Sequence, residues 1–110
     1  MQLPNADRAI VDIGKLRDYS LNPTHEEGMH KARVFRSALG FKQDDAERLR
    51  QMILSEILTA EAASRPATAF GHRYVVEFDT AGLKGPVRIR TTWLVRFGED
   101  SPRLTSCYIL

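Results

Sequence analysis

One cysteine, one tryptophan and three histidines are all that 110 residues supply of the side chains that most often build disulfides, metal centres and large aromatic cores. A lone thiol, Cys107, cannot close a bridge within the chain, so a disulfide-stapled secreted scaffold is excluded and a reducing compartment, the cytoplasm, is expected. No apolar run approaches the roughly 18–20 residues that a membrane-spanning helix needs. Met1 to Asp7 also lacks the basic-then-apolar layout of a signal peptide, so no membrane partner is expected. Charge of one sign is scarce in excess: 16 Lys+Arg stand against 14 Asp+Glu, and a net +2 does not announce a nucleic-acid binder. Serine-hydrolase, phosphate-loop and dinucleotide-binding motifs are absent, which removes the commonest enzyme classes. There is no internal repeat, low-complexity tract or linker.

What is present suits one domain over residues 1–110. A 43% apolar chain of this length buries somewhat under ~70% of its unfolded surface, enough for a single core without a staple. Twelve of the 16 cations are arginine, the flat and always-charged fork suited to phosphate and carboxylate, where lysine would serve plain solubility.

Periodicity then orders the chain. Pro4 to Tyr19 reads as an extended piece followed by one helical turn, ended by Leu21-Asn22-Pro23 because proline pushes the preceding residue out of the α region. Thr24 to Leu39 reads as a helix with Ala32, Phe35 and Leu39 on one side, His30, Arg33 and Ser37 on the other, and Lys31 at the border. Gly40 supplies its C-cap, with Phe41 folding back. Asp44 with Glu47 predicts a capping-box start for a second helix, whose apolar period runs through Ala46, Leu49, Ile53 and Ile57 and decays through Ala62-Ala63-Ser64. Ala67 to Gly71 reads as a loop.

Beyond it the period changes from 3.6 to 2. Tyr74, Val76 and Phe78 alternate with Val75, Glu77 and Asp79, and the run from Val87 to Phe97 sets an apolar face against Arg88, Arg90, Thr92 and Arg96. Pro102 to Leu110 is a further strand. A four-residue turn predicts Val95 opposite Leu104 and Trp93 opposite Ser106, with Arg103, Thr105 and Cys107 on the arginine face and Tyr74 and Tyr108 on the apolar one. The expected class is α+β: N-terminal helices packed on one face of a C-terminal antiparallel sheet of three or four strands.

The densest reactive cluster is Asn22 to Phe35, where His25, His30, Lys31 and Arg33 fall within nine residues. Ribonucleases that use no metal need a base for the ribose 2′-hydroxyl, a cation for the phosphorane and an acid for the leaving oxygen, and histidine with lysine or arginine supplies all three. Set against that is a plain reading: His25 caps the helix start and the others form a solvated face. No metal and no cofactor is expected, because His25 and His30 are five apart with Gly28 between them, whereas helical zinc pairs sit at i and i+4. Arg88, Arg90, Thr92, Arg103 and Thr105 form the candidate substrate-binding set, since arginines on a strand face can position a phosphate backbone with threonine hydroxyls as added donors. The plain alternative is neutralisation by Glu77 and Asp79 across the hairpin.

Four blocks carry a family resemblance: Leu21-Asn22-Pro23-x-His25-x-x-Gly28-x-His30-Lys31-Ala32-Arg33-Val34-Phe35, then Gly71-x-Arg73-Tyr74 and Val87-Arg88-x-Arg90-Thr91-x-Trp93, then Pro102-Arg103-Leu104-Thr105-x-x-Tyr108. Together they resemble, over nearly the whole chain, a small bacterial domain of unknown function that is found alone and as the last domain of large secreted toxins. Phe70-Gly71-His72 and Leu104-Thr105-Ser106 depart from that pattern at one residue or more each. The resemblance implies a toxin-like activity with RNA as substrate, a small antitoxin or immunity protein as partner, and His25, His30, Lys31 and Arg33 as site residues on the helix. The order of helices then sheet is similar to the ribonuclease toxins of the barnase, colicin and RelE kind, an analogy of fold alone. Two further readings stand beside the ribonuclease: a non-catalytic partner module of a toxin system, and an enzyme acting on a phosphorylated small molecule.

Overall fold

Helical and extended segments alternate in short pieces before the chain commits to a long meander. The computed structural model describes residues 1–110. After a 3-10 turn at Ala6–Arg8 come α1 (Ile13–Lys15), prolonged by a π-helical turn at Leu16–Ser20, then α2 (Met29–Leu39), a 3-10 turn at Gln43–Asp45 and α3 (Ala46–Glu56). Four strands follow: β1 (Ala62–Thr68), β2 (Gly71–Gly82), β3 (Gly85–Arg96) and β4 (Arg103–Ile109). They pair antiparallel in the order β1-β2-β3-β4, with the helices against one face, the α+β arrangement expected.

α2 buries Ala32, Phe35 and Leu39, the stripe its 3,4 spacing predicts. Gly40, at φ 73°, closes it, and the Gly40 and Phe41 N–H groups donate to the Arg36 and Phe35 carbonyls at 2.9 and 3.3 Å. The helix starts at Met29, five residues later than expected, and His25 is therefore not on it. The reason is local competition. Asn22 Oδ1 accepts the Thr24 N–H at 3.0 Å, and His25 Nδ1 accepts the Glu27 and Gly28 N–H groups at 3.0 Å each, so these donors are held in turns instead of a helical ladder. In α3 the expected pairing of Asp44 with Glu47 is replaced by Asp45, whose carboxylate takes the Lys42 N–H at 2.8 Å, while Glu47 binds Arg50 and Gln51.

The segment read as helix decay and loop is strand β1. Alanine, serine and threonine gave it no apolar alternation, and Pro66 argued against a strand. Yet β1 is an edge strand, and Pro66 lies inside the register shift between Arg65 and Thr68, where no ladder N–H is needed. The β3–β4 register also differs from expectation: Trp93 faces Leu104 and Thr91 faces Cys107, with a bulge between Thr92 and Trp93 that leaves Thr105 as the extra residue. One inserted residue inverts the parity beyond it. Cys107 consequently joins the core, and Tyr108 pairs with Arg90 on the outer face, the reverse of the expected sides. Phe97, expected on the apolar face, lies past the end of β3 and is exposed.

One apolar cluster of 18 buried residues joins Leu16, Phe35, Ile53, Val76, Ile89 and Trp93. Its polar members are satisfied: Trp93 Nε1 donates to Thr91 Oγ1 at 2.8 Å, and that hydroxyl donates to the Val76 carbonyl at 2.8 Å. Ile10 pairs with the free side of β4, donating to the Pro102 carbonyl at 2.8 Å and accepting from Leu104 N–H at 2.9 Å, which caps that edge of the sheet. No helix is long and apolar enough to cross a membrane.

Candidate functional site

The turn that ends α1 and the turn that precedes α2 touch at Gly28. A Cβ at this position would overlap the Tyr19 carbonyl oxygen, so only glycine lets the His25–Gly28 turn close over that strand of backbone. Closure brings three side chains together. The Tyr19 and His25 rings meet edge to face at 4.8 Å, and Lys31, in the first turn of α2, sets its ammonium 4.9 Å from the Tyr19 ring centroid and 3.4 Å from its hydroxyl. From the other side the Tyr108 ring centroid stands 5.3 Å from the same ammonium. Lys31 is thereby held between two tyrosines at the edge of β4.

Beneath them runs an open groove of about 620 Å³, walled by the α1 segment with Asp12, Asp18 and Tyr19, by His25, Glu27 and Lys31, and by β4 from Leu104 to Cys107. The carboxylates differ in their freedom. Asp12 accepts the Gly14 N–H at 2.9 Å and Asp18 is paired with Arg17 at 3.0 Å, which holds its carboxyl below the usual range. Glu27 is exposed and has no side-chain partner, so it is the uncommitted carboxylate of the groove. Because Nδ1 of His25 accepts two backbone N–H groups, the ring proton of its neutral form belongs on Nε2, which is left to donate. No group of three or more His, Cys, Asp or Glu side chains is placed to hold a metal ion.

Of the four residues proposed from the helical block, the fold brings His25 and Lys31 into one groove. His30 is exposed and outside it, and Arg33 lines a separate depression of about 440 Å³ with Arg36 and Lys42. Thr105 belongs to the groove wall, and its hydroxyl lies 2.7 Å from that of Thr92. The sheet arginines are engaged. Arg88 binds Glu77 at 2.9 Å and Asp79 at 3.1 Å, Arg90 binds Glu77 at 2.7 Å and the Tyr108 hydroxyl at 3.3 Å, and Arg103 binds Glu99 at 3.1 Å. Arg88 first and Arg90 second hold the Glu77 carboxyl below the ordinary glutamate range.

A family model covers the chain over residues 2–110, under the description "Domain of unknown function (DUF6883)". The chain belongs to this family. No curated protein and no solved structure matches it.

Three side chains of this DUF6883 site escaped the sequence reading. Tyr19 and Tyr108 lie 12 and 77 positions from Lys31, and no spacing rule couples them. Tyr108 faces outward only because of the bulge at Thr105. Glu27 belongs to the Asn22 to Phe35 block, but the groove it lines exists only once the turn has closed.

Proposed function

We propose that the protein is a metal-independent ribonuclease of toxin type, with the groove between α1, α2 and β4 as its reaction centre. The observation that carries the reading is the convergence there of a fixed ammonium, Lys31, a ring donor, His25 Nε2, and an unpaired carboxylate, Glu27. These are the charge types that internal transesterification of RNA requires. Glu27 takes the 2′-hydroxyl proton, O2′ attacks phosphorus, and the bond from phosphorus to O5′ breaks to leave a 2′,3′-cyclic phosphate. Lys31 neutralises the phosphorane and protonates the departing O5′, while His25 Nε2–H donates to a non-bridging oxygen. The roles expected of histidine with lysine or arginine thus fall to a carboxylate, a lysine and one histidine.

Arg33, Arg36 and Lys42 line the neighbouring depression without ion-pair partners and suit phosphates further along a chain. Growth after tightly controlled expression, with total RNA examined in parallel, tests the proposal. The intact protein is expected to arrest growth and yield fragments with cyclic phosphate ends. Glu27→Gln, Lys31→Met and His25→Ala should abolish both effects, and His30→Ala should leave most of the activity. Unimpaired growth with intact RNA would reject the ribonuclease and turn attention to a partner module of a toxin system.

A further inference from the structure

Charge pairing is uneven over the outer face of the sheet, the face that carries no helix. Near the β2–β3 turn, Arg88 and Arg90 are neutralised by Glu77 and Asp79. At the opposite end Arg96 and Arg103 share Glu99, but Arg65 of β1 and Arg73 of β2 are direct cross-strand partners and neither takes part in any ion pair. Like charges directly opposite one another destabilise an antiparallel pair. Protection of a sheet edge by a cation explains Arg65, since β1 is the edge strand, but Arg73 lies on an interior strand.

The same end of the sheet offers more than charge. Arg65 and Arg73 line a depression of about 370 Å³ with Thr92, Thr105 and the apolar Phe70, Val75 and Leu94. Phe70, at the tip of the β1–β2 turn, is 74% exposed, the most exposed of the large apolar side chains. Thr105, the bulge residue, lines both this depression and the groove that holds His25 and Lys31. The two hollows therefore meet over β4 at a single side chain.

We propose that this end of the sheet is a platform for single-stranded RNA. Two unpaired guanidiniums take phosphates, Phe70 stacks on a base, and the strand crosses Thr105 into the groove. An exposed ring flanked by cations and hydroxyls is the usual equipment for binding a single strand, whose bases are free to stack, whereas a duplex hides them. An acidic peptide would satisfy the two guanidiniums but leave Phe70, 74% exposed at the tip of the turn, without a stacking partner. The direction of the strand into the groove rests on the ribonuclease reading; the platform itself does not.

Fluorescence anisotropy with a labelled 2′-O-methyl oligonucleotide tests it, because such a strand has no free 2′-hydroxyl and cannot be cut by internal attack. Arg65→Glu/Arg73→Glu is expected to weaken binding at least ten-fold, and Arg65→Gln/Arg73→Gln to flatten the slope of log K against log salt by about 1.4, from about 0.7 per phosphate contact. Phe70→Ala should cost about five-fold or more. Lys84→Met, which removes an exposed cation at the β2–β3 turn, should bind within a few-fold of wild type, and a duplex of the same sequence should bind more weakly. No binding, equal binding by the arginine variants with an intact melting transition, tighter binding of duplex, or equal binding of polyglutamate would each overturn the platform. RNA cut equally well by wild type and Arg65→Glu/Arg73→Glu would also overturn it while leaving the ribonuclease standing. Binding lost in the Arg65, Arg73 and Phe70 variants, with RNA left uncut by wild type, would uphold the platform and reject the groove chemistry.

Discussion

Gly28 lies against the carbonyl of Tyr19, and this contact fixes the spacing between the two turns that present His25 and Lys31. A Cβ at position 28 would stand 2.9 Å from the Tyr19 carbonyl carbon and closer still to its oxygen. The backbone angle of Gly28, φ −87°, is one any residue adopts, so the requirement is for space alone. Both contacting atoms are backbone and have little freedom to yield. Gly28→Ala is therefore expected to lose about 1–3 kcal/mol, as overpacking does, and to disable the groove. Denaturant unfolding with a lowered midpoint and an unchanged slope would bear this out; an unchanged midpoint would contradict it.

The fold was legible where residue pattern and final environment agree. The stripe of Ala32, Phe35 and Leu39, the cap at Gly40 and the alternation from Val87 to Val95 each encode one element without help from elsewhere. What could not be read depends on contacts distant in sequence. β1 is a strand because β2 pairs with it, and Pro66 is tolerated because the strand is at an edge. The bulge at Thr105 has no signature in the run Leu104-Thr105-Ser106, yet it decides which way Cys107 and Tyr108 face. The candidate site was half legible for the same reason: His25 and Lys31 lie in one block of sequence, whereas Tyr108 and Thr105 join them only through that bulge.

Lys31 owes its position to two tyrosine rings, so its charge and its packing can be separated. Lys31→Met keeps an unbranched stem against Tyr19 and Tyr108 and removes the ammonium. If the charge stabilises a phosphorane, cleavage should fall by about 10²-fold or more, the scale seen when one electrostatic stabiliser is removed. Stability should change by only about 0.5–1 kcal/mol, the size of a partly exposed cation–π contact. A fall in stability large enough to account for lost activity would make Lys31 a structural residue only.

Burial pushes the Cys107 thiol up to about 12, opposed in part by the charge of Lys31. The folded protein should therefore resist thiol reagents at pH 8 and react only on unfolding, as alkylation with and without denaturant would show. A stability trend follows as well. In the unfolded chain the thiol ionises near its ordinary value of 9.0, while the folded chain keeps the proton to about 12. Between those values the unfolded state binds fewer protons, so this contribution to stability is intact below pH 9 and declines as pH rises. In Cys107→Ala the slope from this source should vanish, whatever the variant's overall stability.

Glu77 bridges Arg88 and Arg90, and the sign of its effect is opposite. Its carboxyl titrates below the ordinary 4.5 in the folded state, so the unfolded chain takes up the proton first on acidification. The stabilisation is present above about pH 4.5 and is lost as pH falls through the folded value. Glu77→Gln should cost roughly 1 kcal/mol at pH 7, at the upper end for ion pairs near the surface. The gap between wild type and variant should narrow steadily in acid, and a gap independent of pH would assign the cost to packing instead of charge.

Arg73 faces Arg65 across β1 and β2 with no carboxylate to relieve it, so a single reversal there separates stability from binding. In Arg73→Glu the like-charged pair becomes an opposite-charged one, a change worth about 0.2–1 kcal/mol in favour of the fold for a cross-strand pair. The midpoint of thermal unfolding should rise, most clearly at low salt, because the pair is exposed and screened at high ionic strength. If the end of the sheet binds RNA, the same variant should lose affinity for a single strand while its fold gains. A protein that holds two facing cations at some expense to its own sheet, and binds RNA less well once they are reconciled, is using that repulsion for recognition. Should Arg73→Glu raise the midpoint and leave oligonucleotide binding unchanged, the facing arginines would be a tolerated defect with no part in recognition.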